Sequence, residues 1–198
     1  MTKLRQTNPE MIIFTGPMFS GKTTRLLAQL DRYHYQNKKI LAFKPKLDDR
    51  YSLMDIKSHN GAGIPARSIT NGKELLDIVQ IAENEAAEAR DLYADVIAVD
   101  EVFMIDDAAA ALIQLFRRGY TVIVSSLEMS AACNPFSEVT KLMPWATQIE
   151  KCPAVCANCH QDAYFTQRKA ENENDNIQVG GSELYEPRCW SCHSYISS

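Results

Sequence analysis

The sequence has no surplus of positive charge: 21 Lys and Arg stand against 25 Asp and Glu, a formal net charge of −4. No basic field is on offer to a nucleic-acid backbone, and no cluster of Lys or Arg stands out. No apolar run approaches the roughly 18 residues that a membrane span needs. The opening MTKLRQTNPE is polar and lacks an apolar signal core, so it reads as a short arm before the first strand. Internal repeats are absent. Cysteine is sparse, with six in all, and only four of them form C-x-x-C pairs. Without a secretory signal, paired thiols favour a metal or redox site over a disulfide framework, and the expected compartment is the cytoplasm.

What is present is an ordinary globular chain of 198 residues, 45% of them hydrophobic. MIIFT (11–15), KILAFK (39–44, stopped by Pro45), VIAV (96–99), TVIV (121–124) and TQIEK (147–151) read as strands. Between them lie helical patterns. Leu26, Leu27, Leu30 and Tyr33 share one face of the first. Asn71 can cap a helix over 72–90 whose stripe is Leu75, Leu76, Val79 and Ile81. Asp106 or Asp107 can cap a third that Gly119 ends, and a short helix is expected over 136–143 before Pro144. Strands separated by helices predict a mainly parallel sheet covered on both faces, an α/β core. From residue 152 the character changes to cysteines, polar residues and no long helix. The expected division is a nucleotide-binding domain over 1–150 and a small second domain over 151–198.

GPMFSGKT (16–23) fits G-x-x-x-x-G-K-[ST] in full, between a strand and a helix. Such a loop turns its backbone N–H groups around phosphates, with glycine allowing the close approach. Gly16, Pro17, Met18, Phe19, Ser20, Gly21, Lys22 and Thr23 are therefore candidate nucleotide ligands. Lys22 is suited to the terminal phosphates, and Thr23 to Mg²⁺. This motif specifies a nucleoside triphosphate and leaves kinase, motor and switch open.

VIAVDE (96–101) is a buried run that ends in two carboxylates. In P-loop proteins a second strand ends in an Asp associated with Mg²⁺, the role expected of Asp100. Glu101 then sits where it can take a proton from an attacking hydroxyl or water. Read without the phosphate loop, the pair would equally cap a solvent-facing turn. The cation favours the charged form of Asp100.

Cys156, Cys159, Cys189 and Cys192 form two C-x-x-C knuckles about thirty residues apart, suited to a closed tetrahedral Zn²⁺ site. His160 and His193 flank them as alternative ligands, more commonly surface residues. Cys133 and Cys152 are expected to be free thiols. The excursion between the knuckles contains QVGGSELY (178–185), which taken alone is a hairpin turn with a half-buried Tyr185.

Together these motifs resemble the type II thymidine kinases, the cytosolic and bacterial class with a RecA-like P-loop core and a zinc-bearing lasso. The resemblance covers about residues 11–195 and is carried by GPMFSGKT, FKPKLDDRYS (43–52), SHNG (58–61), VIAVDE, Pro135–Phe136, AVCANC (154–159), TQR (166–168) and VGGSELYEPRC (179–189). It implies transfer of the ATP γ-phosphoryl group to the 5′-hydroxyl of thymidine in nucleotide salvage for DNA synthesis, with Mg²⁺ and a structural Zn²⁺. By the same resemblance Glu101 is the catalytic base, Lys22 binds phosphate, and Arg50 is an arginine beside the phosphates. Met18, Phe103, Met104 and Leu127 border the nucleoside. Thr166, Val179, Gly180 and Tyr185 close over the base. A homotetramer inhibited by dTTP is implied as well.

Two departures bear on the substrate. The family's usual D-E-A-Q-F-F becomes DEVFMI (100–105), so Phe103 stands at the Gln position, and Ala131 stands where a Phe is usual. Losing a polar partner and an aromatic wall alters base fit, and a kinase of changed nucleoside preference is the second reading. A RecA-like ATPase acting on nucleic acid is disfavoured by the acidic balance. A regulatory protein without catalysis is disfavoured by Glu101 and Arg50.

Overall fold

The computed structural model describes residues 8–46, 55–57, 63–88, 94–169 and 181–194. In chain order the elements are β1 (Met11–Thr15), α1 (Lys22–Tyr35), β2 (Ile40–Pro45), β3 (Asp55–Lys57), β4 (Gly63–Pro65), β5 (Arg67–Ile69), α2 (Gly72–Glu88), β6 (Val96–Asp100), α3 (Ala108–Arg117), β7 (Thr121–Ser126), α4 (Ser137–Leu142) and β8 (Gln148–Lys151), followed by β9 (Ala154–Val155), β10 (Asp162–Ala163), β11 (Phe165–Arg168) and β12 (Tyr185–Arg188). Six strands form one sheet in the order β5-β2-β6-β7-β1-β8, and every ladder in it is parallel. Parallel strands buried on both faces read as continuous apolar runs. That is why β1, β6 and β7 were legible.

The two-residue period divides each strand between two cores. Ile12, Phe14, Ala98 and Ile123 pack with Leu26, Leu27, Leu30 and Tyr33 of α1. Met11, Ile13, Val99, Val122 and Val124 pack with α2, α3 and α4 on the opposite face. A Leu as fully buried as Leu26 contributes about 1.5–3 kcal/mol, so α1 is held firmly under the loop that precedes it.

Three local expectations change. Asn71 does cap α2, accepting the Glu74 N–H at 2.9 Å, but Ile81 leaves the predicted stripe and is 54% exposed. Neither Asp106 nor Asp107 caps α3 through its side chain. Asp107 sits at φ 54, and the carboxylate of buried Glu138 accepts the Ala109 N–H at 2.8 Å. A cap from another helix satisfies a donor that no local residue reaches. His193 is also no surface residue, being 1% exposed with Nε2 at 3.1 Å from the Thr166 carbonyl.

Beyond β8 the chain leaves the sheet through Cys152, whose N–H donates to the Thr15 carbonyl at 2.7 Å. It then forms two antiparallel ladders, β9–β10 and β11–β12.

Candidate active site

The loop after β1 lies at the carboxyl edge of the sheet, where open α/β sheets bind ligands. Gly16 is at φ 144, and a Cβ there would lie 2.3 Å from the Cys152 carbonyl oxygen. Only glycine fits that approach. Gly21 at φ 74 starts α1 with no side-chain cap, and the first turn of the helix carries no acidic residue. Its orphan N–H groups and positive dipole end therefore face the loop, an arrangement that favours an anion. Ser20 Oγ and Lys22 Nζ each donate to the Pro17 carbonyl at 2.8 Å, and both side chains are buried. The loop is thus tied to itself with its cation held inside. Phe19 takes a positive φ of 65 and is 38% exposed.

Thr23, on the first turn of α1, meets Asp100 at the end of β6. Thr23 Oγ1 lies 3.2 and 3.1 Å from the two carboxylate oxygens. Ser125 of β7 donates to Asp100 Oδ1, and the Glu101 N–H reaches the same oxygen at 3.2 Å. A hydroxyl and a carboxylate so paired beside a phosphate loop are a hard-oxygen set suited to Mg²⁺. Glu101 follows at φ 50, ψ 49, the left-handed region, as the chain turns sharply out of β6.

That turn carries Val102 and Ile105 into the core and leaves Phe103 and Met104 half-buried. The Phe103 ring packs on Phe136, with centroids 4.4 Å apart and planes at 31°. Its N–H donates to Ser126 Oγ at 3.2 Å, and Ser126 donates to the Leu127 carbonyl at 3.1 Å. Phe103 and Leu127 are thereby tied to one another. Thr166 of β11 is buried and its Oγ1 accepts the Met18 N–H at 3.1 Å, which fastens the C-terminal segment to the phosphate loop. Tyr185 is half-buried opposite Arg168 on β12. Arg50, Val179 and Gly180 lie outside the described residues.

Glu128 carries no mark in the sequence of the place it takes. It is buried, accepts from Thr15 Oγ1 at 2.5 Å and pairs with Lys151 at 3.1 Å. It therefore braces the end of β1 against β8. Ser125 and Ser126 went unassigned in the sequence, although two serines ending an apolar strand were a readable signal.

The four knuckle cysteines bring their sulfurs within 4.8 Å of one another. A tetrahedron with Zn–S bonds of about 2.3 Å has edges of about 3.8 Å, so the cluster fits a zinc site. Cys159 and Cys189 sulfurs are 3.4 Å apart, and Asn158 Nδ2 donates to Cys192 Sγ at 3.3 Å. Desolvation raises the Cys156 thiol, but N–H donors from Cys159, Cys189 and Asn158 outweigh it and bring the thiol down to about 6. For Cys159 the Gln161 N–H lowers the pKa, yet hydrogen bonding to the Cys189, Cys156 and Cys192 sulfurs, aided by desolvation, pushes it up to about 12. Crowded thiols of this kind share protons that a metal displaces. His160 is exposed and is not part of the cluster.

Strand, phosphate loop, helix and acid pair, with a four-cysteine module behind them, define a P-loop α/β nucleotide-binding protein. The thymidine kinase family model matches residues 10–193, and the chain belongs to that family.

Proposed function

We propose that the chain transfers the γ-phosphoryl group of ATP to the 5′-hydroxyl of thymidine. The observation that carries the reading is the contact of Thr23 Oγ1 with both Asp100 carboxylate oxygens, with Glu101 next in the chain. Glu101 takes the proton of the 5′-hydroxyl, the new bond forms between that oxygen and the γ-phosphorus, and the bond from phosphorus to the ADP oxygen breaks. Lys22 and the loop N–H groups face the charge that develops on the phosphoryl oxygens, and the family resemblance assigns Arg50 to the same task. Thr23 and Asp100 would hold Mg²⁺, which supplies charge neutralisation at the phosphates. Met18, Leu127, Phe103, Met104, Thr166, Val179, Gly180 and Tyr185 would enclose the nucleoside. The four cysteines would hold one structural Zn²⁺, with residues 1–150 as the nucleotide domain and 151–198 as the lasso.

Incubation with γ-labelled ATP, Mg²⁺ and each nucleoside tests this. Labelled thymidine monophosphate is the expected product. No transfer to any nucleoside, with hydrolysis stimulated by single-stranded DNA, would refute it. The Phe103–Phe136 stack supports a second reading, a kinase of shifted pyrimidine preference, and the same panel separates the two. Family membership further supports a homotetramer inhibited by dTTP, checked by light scattering and by dTTP titration. Among the described residues no helix is long and apolar enough to cross a membrane. A cytoplasmic location is proposed from the family and the sequence.

A further inference from the structure

We infer that Ser125 and Ser126, the last two residues of β7, are positioning residues for the acid pair. Ser125 sets the carboxylate of Asp100, and Ser126 sets the turn that carries Glu101 and Phe103. The inference rests on the kinase reading and deepens it. Both serines are 0% exposed, and they follow a run of Val and Ile. A buried hydroxyl is costly unless it is bonded, and each of these finds its work at the exit of β6 or β7. The strand register sets Ser125 directly beside Asp100. Ser125 Oγ and the Glu101 N–H converge on Oδ1, the latter at 3.2 Å, while Thr23 reaches Oδ2 at 3.1 Å. Donors from three segments fix the rotation of the carboxylate, which one donor alone would leave free to swing. On the other side of Glu101, Ser126 Oγ takes the Phe103 N–H at 3.2 Å. Glu101 occupies φ 50, ψ 49, a conformation that non-glycine residues adopt where their surroundings impose it. The anchored N–H groups of Glu101 and Phe103 contribute to holding it there, together with the Met104 N–H, which donates to the Glu101 carbonyl at 3.0 Å.

The test is equilibrium binding of ATP with and without Mg²⁺, with no nucleoside present, for wild type, Ser125→Ala and Ser125→Cys. The gain in ATP affinity that Mg²⁺ confers is expected to shrink about tenfold or more in both variants, the usual size for removing an outer partner of a metal-associated ligand. Affinity without Mg²⁺ stays near wild type. A purely structural role would lower the melting temperature and leave the Mg²⁺ ratio unchanged; that result in either folded variant overturns the inference. The cysteine variant fills the serine's space and carries the measurement if the alanine variant does not fold. Ser126→Ala is expected to raise the thymidine KM about fivefold or more with the Mg²⁺ ratio intact. A wild-type KM, or an equal loss in the ratio, overturns the division of roles. A wild-type protein that phosphorylates no nucleoside sinks the kinase reading while the Mg²⁺ ratio is still measured, so the two failures are told apart.

Discussion

Replacing Thr166 by Val removes one hydroxyl and keeps the shape of the side chain. Thr166 is 5% exposed, and its backbone is held by the β11–β12 ladder and by His193 at its carbonyl. Valine keeps those partners and the preference for extended backbone. What goes is the acceptor for the Met18 N–H, 3.1 Å away. A neutral hydrogen bond contributes about 0.5–1.5 kcal/mol, and stranding a buried donor costs about 1–3 kcal/mol. Met18 is half-buried, so water partly replaces the lost partner and the lower part of that range applies. A loss of about 1–1.5 kcal/mol corresponds to roughly a five- to twelvefold change in an equilibrium constant. The bond joins the C-terminal segment to a loop residue proposed to line the nucleoside, so the loss should fall on kcat/KM for thymidine. The KM for ATP should stay near wild type, because Lys22, Thr23 and Asp100 keep their contacts. Thr166→Ser retains the acceptor and should stay within about twofold of wild type. Steady-state rates over a thymidine series at saturating ATP, and the reverse, read both quantities. Val within twofold of wild type refutes the reasoning. Val and Ser falling together would show that the methyl group matters as well as the hydroxyl, and Ser falling alone that the methyl matters and the hydroxyl does not.

Glu101→Gln keeps the volume but cannot accept a proton at neutral pH. Turnover should fall by about 10²–10⁴, the usual contribution of a general base, while ATP still binds; turnover within tenfold of wild type would remove Glu101 from that role. Metal analysis of the purified protein should return about one zinc per chain. Cys156→Ser, which replaces the most buried of the four sulfurs, should lower both the zinc content and the melting temperature. A metal-free protein that is stable and fully active would refute the four-cysteine site.

The sheet and the phosphate loop were legible because their determinants are local. A parallel strand buried on both faces is an apolar run, and a phosphate loop is a fixed spacing between a strand and a helix. Thr23 and Asp100, 77 positions apart, could be assigned to one Mg²⁺ only because P-loop proteins place a strand-end acid there; their direct contact has no signal in the sequence. Where no such rule exists the sequence was silent. Glu138 caps α3 from 29 residues away, so local capping signals pointed at Asp106 and Asp107 instead. His193 was misread because adjacency to a cysteine knuckle says nothing about the carbonyl of Thr166, 27 residues earlier. Strand order, too, depends on crossovers that leave no mark in composition. Glu128 was hidden for a different reason: a lone Glu after a strand usually faces solvent, and its partners Thr15 and Lys151, neighbours at the end of the β1–β8 ladder, come from distant parts of the sequence.

The residues after the acid pair differ from the usual family pattern at four positions, but the structure reduces that difference to two. Val102 and Ile105 are fully buried in the core and answer to packing. Phe103 and Met104 remain half-buried beside Glu101, and the Phe103 ring is fixed against Phe136. A phenyl ring offers area and stacking but no hydrogen bond to a base edge. Sites built to hydrogen-bond a substrate group reject analogues lacking it by about 10⁴–10⁵, whereas apolar pockets discriminate by about 10–200-fold. Base recognition at this position should therefore depend on shape. The expected outcome is a kcat/KM for thymidine over deoxycytidine in the lower of those ranges, with Phe103→Gln widening the ratio. Because Phe103 is partly solvated and its N–H bond to Ser126 belongs to the backbone, that exchange leaves the turn in place. Competition between the two nucleosides for limiting enzyme gives the ratio directly. A wild-type ratio near 10⁴ that Phe103→Gln leaves unchanged would show that the base is read elsewhere, and Phe103 would then be a packing residue for Phe136.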